Sequence, residues 1–148
     1  MANIRIIYPV VLVICAILLG ACQALKPGPS DEELIMGQVK AMKEALFAGD
    51  VEGVLAVFSE NFSHYEVPDK ETLAEHLKMG KEMGYLDELE THDAEISLED
   101  AQVTIEDDSA SVYPIDATSD MGCVTLELVF KKEDDGVWRI VSGDVEGV

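Results

Sequence analysis

Val124, Leu126, Leu128 and Phe130 alternate with Thr125, Glu127 and Val129, and this period of two constrains the chain more than any other pattern. It requires an extended segment with one apolar side, so the C-terminal part must be a sheet covered on that side. Glu133-Asp134-Asp135-Gly136 supplies a hairpin turn, and Val137 to Val141 returns through Trp138 and Ile140. Upstream, Ile96 and Leu98, then Val103 and Ile105, alternate in the same way, and Glu106-Asp107-Asp108-Ser109 marks a turn. Ser111 to Thr118 reads as the next strand, in which Pro114 requires an edge position or a bulge.

The cover lies N-terminal to these strands. Ser30 and Glu33 have capping-box spacing, and Ile35, Val39, Met42 and Leu46 form one apolar stripe of a helix. Gly49 is a terminator and Asp50 a cap for a second helix, whose buried side is Val51, Val54, Leu55 and Phe58. Asn61 to Glu66 reads as a short strand. Pro68 and Asp69 end it and begin a third helix with Leu73 and Leu77 inward and Gly80 and Gly84 near its end. Helices followed by antiparallel strands define one α+β domain over residues 30–148.

Ahead of the domain, Ile6 to Leu19 is almost unbroken hydrocarbon preceded by Arg5. The run is short of the roughly 20 residues that span a bilayer and within the roughly 7–15 of a signal-peptide core. With Leu19-Gly20-Ala21-Cys22 directly after it, the segment resembles a bacterial lipoprotein signal. The resemblance implies removal of residues 1–21, acylation of Cys22, and residues 22–29 as lipidated terminus and short spacer. An ordinary signal cut nearby, or an uncleaved anchor extending through Leu25, are the alternatives. Gln23, in place of an inner-membrane retention aspartate, implies the periplasmic face of the outer membrane in a two-membrane bacterium.

The net charge is −20, and Arg5 is the only charged side chain ahead of Cys22. Such a surface repels nucleic acid and anionic headgroups, which excludes a nucleic-acid partner. Cys15 leaves with the signal and Cys22 carries lipid, so Cys123 has no partner for a disulfide and reads as a small core residue. His64, His76 and His92 lack ligand spacing, and the acidic turns lack the pattern of a calcium loop, so no metal and no cofactor is expected.

Three stretches carry a resemblance to the nuclear transport factor 2-like superfamily, in particular its SnoaL-like bacterial branch. They are Ala45-Leu46-Phe47-Ala48-Gly49-Asp50-Val51-Glu52 leading into Leu55-Ala56-Val57-Phe58-Ser59-Glu60-Asn61-Phe62, then Val103 to Val112, and Lys132 to Val141. Their order covers nearly all of residues 31–145. The resemblance implies a strongly bent sheet, antiparallel or mixed, wrapped as a cone around three N-terminal helices, with a cavity at the wide end. A homodimer through the outer sheet face is common in that superfamily. Its enzymes place Asp, His or Tyr in the cavity as general acid or base.

The candidate pocket residues are His64, Tyr65, His76, Tyr113 and Asp116. Alternation allows only one of His64 and Tyr65 to point inward. Tyr113 and Asp116, three apart, fall on opposite faces unless a bulge intervenes. His76 borders the apolar side of the third helix. Each also has a purely structural reading: rim aromatics, a helix-border histidine, a solvated aspartate. The acid pair of the steroid isomerase relatives has no counterpart here. The leading expectation is a membrane-anchored, non-catalytic domain that binds a small hydrophobic molecule or an envelope protein. In that reading Gly80 and Gly84 thin the wall over the cavity. The alternative is a SnoaL-like acid–base enzyme acting on a hydrophobic substrate. A third reading is a closed cone acting through its surface, with Val129 or Val141 exposed.

Overall fold

A computed structural model describes residues 27–89 and 91–147. The apolar run, Cys22 and most of the spacer lie outside the described residues. Asp31–Val148 forms one compact unit. Its elements are α1 (Asp31–Phe47), α2 (Val51–Ala56), α3 (Lys70–Glu82), β1 (Glu95–Ser97), β2 (Gln102–Glu106), β3 (Ser109–Ser119), β4 (Gly122–Lys132) and β5 (Trp138–Glu146). Among the described residues, no helix is long and apolar enough to cross a membrane.

α1 buries Ile35, Val39 and Met42, the stripe its periodicity predicts. Each such side chain, once fully buried, contributes about 1.5–3 kcal/mol. The helix stops where Gly49 adopts a left-handed φ of 63°, with the Asp50 N–H donating to the Ala45 carbonyl at 2.8 Å. Asp50 then caps α2 by accepting from the Gly53 N–H at 3.0 Å. Asp69 caps α3 in the same manner through the Thr72 N–H at 2.7 Å.

The strands pair antiparallel in the order β1-β3-β4-β5, and β2 also pairs with β3. β1 takes Asp116 to Thr118 and β2 takes Ser109 to Tyr113, so two short strands share one side of β3 end to end. Pro114 sits at their junction, where its missing N–H costs no ladder bond. It also sits in a bulge: Val112 pairs with Leu128 and Ile115 with Leu126, leaving two residues of β3 opposite one of β4. The bulge shifts the alternation by one. Ala110 and Val112 are buried before it, and Ile115 after it. A second register shift, between Val129 and Phe130, leaves Val141 as the extra residue of β5.

Against this inner face pack α1, α2 and the corner after it, giving a core of Ile35, Val39, Val54, Phe58, Phe62, Val112, Ile115, Phe130, Trp138 and Ile140. The sequence places a strand at Asn61 to Glu66, and none forms. Phe58 makes a single parallel bridge to Ile140, Ser59 and Ser63 donate to the carbonyls of Ile140 and Val141, and the Ile140 N–H donates to Val57. The chain then folds back, with the His64 N–H on the Val67 carbonyl, so it covers the free edge of β5 without continuing along it.

The few cations are drawn into the fold. Lys43 donates to the Ile96 carbonyl, Lys70 to the Phe58 carbonyl and Lys81 to the Gly49 carbonyl. Lys132 meets Asp31 at 2.9 Å, beside the Trp138 indole N–H that donates to the same carboxylate at 2.8 Å. That indole bond, then Lys132, holds the Asp31 carboxyl below the usual range. Ser59, fully buried, donates to Glu133, which also accepts from Arg139.

Candidate functional site

At the end of the sheet that carries the β3–β4 hairpin, a cavity of about 350 Å³ opens between four separate pieces of chain. The last turn of α1 contributes Leu46 and Phe47, and the segment after α3 contributes Leu89 and Ala94. Glu95 and Ile96 of β1, Ala117 and Thr118 of β3, and Met121, Cys123 and Val124 around the hairpin complete most of the wall. Ala117 faces this space because the Pro114 bulge has already reversed the alternation of β3. Without that extra residue, Asp116 would stand in its place.

The wall made by the segment after α3 is fastened. The Asp120 N–H donates to the His92 carbonyl at 3.0 Å, and the His92 ring lies 3.1 Å by Nδ1 from the Asp120 carboxylate and 3.6 Å by Nε2 from Glu88. Asp120 foremost, and Glu88 beyond it, raise the His92 pKa above its ordinary value. This staple ties the hairpin tip to the segment after α3 at Glu88 and His92.

None of the five sequence candidates lines this cavity. His64 is half-buried, accepts from the Glu66 N–H at 3.2 Å and packs against Tyr65, itself 81% exposed. Both border a shallow, open depression with Val129 and Ser142. Tyr113 and Asp116 come together on the sheet face opposite the core, the outcome the bulge allows. Asp116 accepts from Thr125 at 2.7 Å, and Tyr113 donates to Glu146 at 3.4 Å. The negative charge of Glu146, then desolvation, raises the Tyr113 pKa. His76 is exposed on α3, a helix with no fully buried residue. Gly80 and Gly84 do not line the cavity either, and a Cβ built on Gly80 would meet open space. Cys123, expected in the core, is exposed at the cavity wall. It alternates with Val124, Leu126, Leu128 and Phe130, so it falls on the outward side of β4 with Thr125 and Glu127.

The sequence reading missed Leu89, Glu95, His92 and the cavity role of Leu46 and Phe47. Leu46 was visible as part of a stripe, but nothing in its spacing separates a cavity wall from a packed core. Among the residues lining the cavity, the ones with ionisable side chains are Glu95 and Cys123, both exposed and one step out of phase with the inward-facing Ile96 and Val124. Among the described residues, no group of three or more His, Cys, Asp or Glu is arranged to hold a metal ion.

No protein-family model matches this sequence, and no curated protein sequence matches it. The fold, in contrast, is similar to many solved structures. A nuclear transport factor 2-like protein of unknown function from Pseudomonas putida superposes with a TM-score of 0.62 at 14% identity, over 79% of this chain and 86% of that one. A candidate dehydratase of the same fold family from Streptomyces avermitilis gives 0.59 at 18% identity, over 80% of this chain and 96% of that one. A candidate ketosteroid isomerase from Shewanella frigidimarina gives 0.58 at 24% identity, over 74% and 92%. The helices and five-stranded antiparallel sheet are thus a nuclear transport factor 2-like fold, and at these identities the likeness concerns the fold alone.

Proposed function

We propose that this nuclear transport factor 2-like cone is a binding module, taking a small hydrophobic molecule into the cavity between α1, β1 and the β3–β4 hairpin. The observation that carries the reading is the chemistry of the wall. Leu46, Phe47, Leu89, Ile96, Ala117 and Val124 supply an apolar surface, and no histidine, tyrosine or aspartate stands among the residues lining it. A general acid or base works from a desolvated position that brings its pKa near neutrality. Glu95, the carboxylate residue on that wall, is exposed to water at the start of β1. The acid–base reading, which the names of two structural neighbours invite, is therefore the second choice.

The Leu19-Gly20-Ala21-Cys22 signal supports placing this module at a bacterial envelope, tethered through lipid on Cys22, with the outer membrane favoured by Gln23. A homodimer through the outer sheet face is part of the same proposal. The test is to purify the full chain from a bacterium that processes lipoproteins and to analyse it twice by mass spectrometry. A diacylglyceryl group on Cys22 is expected, and an unmodified Cys22 overturns the tether. Organic extraction is expected to release a small apolar molecule from the wild type and much less from Ala117→Phe, provided circular dichroism shows the variant folded. Equal yields, or none from either, overturn the binding role.

A further inference from the structure

On the sheet face opposite the core, at the β5 margin, the depression bordered by His64 and Tyr65 brings together groups that the apolar cavity lacks. None of its lining residues is shared with that cavity. Val129 pairs with Ser142 across β4 and β5, and Ser142 and Asp144 point to the same side because they are two apart on one strand. Val129 supplies a half-buried apolar floor, while Ser63, Ser142 and Asp144 line the same hollow with hydroxyls and a carboxylate. The loop side is held by its backbone: the Ser63 N–H donates to the Val141 carbonyl at 3.0 Å and the His64 N–H to the Val67 carbonyl at 3.1 Å. The His64 ring lies 4.2 Å from that of Tyr65, centroid to centroid, and steadies an aromatic side chain that otherwise faces water. His64 accepts the Glu66 N–H at Nδ1, which puts the neutral ring's proton on Nε2 and makes that atom a donor. Asp144 uses one carboxylate oxygen on the Val145 N–H at 2.8 Å and keeps the other. Among the described residues, the hydroxyls of Ser63, Tyr65 and Ser142 have no protein partner.

We infer that this depression is a second binding site, for a neutral sugar ring. A pyranose carries hydroxyl groups around its edge and a patch of C–H bonds on its face, and the lining answers both. The weakly positive C–H bonds suit the negative face of the Tyr65 ring and the apolar Val129. The edge hydroxyls donate to the free Asp144 oxygen, a charge-assisted bond stronger than a neutral one, and bond with serine hydroxyls that both donate and accept. Ser142 and Asp144 stand about 7 Å apart along the strand, close to the breadth of such a ring. An anionic ring is disfavoured by Asp144 and by the chain's charge of −20. A purely apolar ligand would strip water from the carboxylate and hydroxyls without replacing its bonds. Because strands and a backbone-bonded loop hold these groups in place beforehand, little ordering accompanies binding. Because the hollow is open and its contacts compete with water, the affinity is weak, on the order of millimolar.

The probes are the methyl pyranosides of glucose, galactose, mannose and N-acetylglucosamine, which differ in hydroxyl geometry. Methyl glucuronide is the anionic counterpart, and maltose and chitobiose are two-ring forms. The full chain is held in phosphatidylcholine nanodiscs at one copy per disc, and NMR saturation transfer to the ligand protons is read against empty nanodiscs. At least one neutral glycoside is expected to receive saturation, concentrated on the C–H bonds of one ring face, and the glucuronide to bind roughly threefold more weakly than the glucoside. Tyr65→Ala is expected to weaken binding by roughly twofold to tenfold, and Asp144→Asn by about fivefold. Both side chains are exposed, so the variants keep the fold. Ala117→Phe, in the apolar cavity, is expected to leave sugar binding unchanged, which separates this site from the one proposed above. Tighter binding of maltose or chitobiose than of the single ring marks a glycan chain as the source, and equal binding marks a free sugar. No transfer to any neutral glycoside overturns the site. Transfer that survives both Tyr65→Ala and Asp144→Asn undiminished removes it from this depression. A glucuronide that binds as tightly as the glucoside overturns the preference for a neutral ring.

Discussion

Replacing Trp138 by Phe tests how the closing hairpin is locked to the start of the domain. Trp138 is 1% exposed, its N–H donates to Asp31 at 2.8 Å, and Lys132 lies 5.7 Å from the ring centroid while pairing with the same carboxylate. Phe keeps a six-membered ring in the core and removes the donor together with roughly two carbons of buried surface. The lost carbons cost about 1.6 kcal/mol at about 0.8 kcal/mol each. A hydrogen bond to a charged acceptor is worth about 1.5–3 kcal/mol, and the lower end applies because Lys132 and water remain for Asp31. The expected loss is about 3 kcal/mol. With a urea m-value near 1.5 kcal/mol/M for a domain of this size, the midpoint falls by about 2 M. Far-UV circular dichroism is the readout, because Trp138 is the single tryptophan and its fluorescence disappears in the variant. Asp31→Asn is the control: its amide oxygen still accepts the indole N–H, so its midpoint shift is expected to be less than half as large. Equal shifts for the two variants, or a Trp138→Phe shift under about 0.5 M, would refute the assignment of this energy to the buried indole and its N–H.

Gly143→Ala reverses the usual rule that such a change on an ordinary backbone stabilises by about 0.4–1 kcal/mol. An added Cβ would stand 2.9 Å from the Glu127 carbonyl oxygen, which the β4–β5 ladder holds in place, so a net loss of about 1–2 kcal/mol is expected in urea denaturation. The His92 staple is pH-dependent with a definite sign. Its pKa is raised in the folded chain, so the stabilisation is complete below the unfolded value near 6.5 and disappears as pH rises through the folded one. The stability difference between wild type and His92→Gln, measured from pH 5 to 9, is expected to shrink toward alkaline pH; a constant or growing difference would remove the ring from that role.

The sequence made the frame legible because its signals are local. Gly49 followed by Asp50 needs only five or six neighbouring residues to end one helix and begin the next. The Leu126-Leu128-Phe130 face needs only the pleat. Pro114 was ambiguous for a physical reason: a missing N–H is tolerated at an edge or in a bulge, and here it meets both conditions. Asn61 to Glu66 has strand-like composition, but bonding to β5 lapses after Ser63 and the turn closed by Val67 takes over. The site was less visible. Its walls come from residues near 46, 89, 95 and 123, and juxtaposing them depends on the tertiary fold. The polar candidates were chosen for their chemistry, and chemistry alone does not report which side of a bulged strand a residue occupies.

The margins of the sheet are interrupted rather than continuous. On one side, the edge is made of two short strands, β1 and β2, set end to end, and the Lys43 ammonium occupies the Ile96 carbonyl. On the other, the backbone from Val57 to Ser63 takes the edge bonds of β5 at Ile140 and Val141. A margin broken up in this way is a poorer template for a foreign strand than a long, flat one, a device natural sheets commonly use against fibre growth.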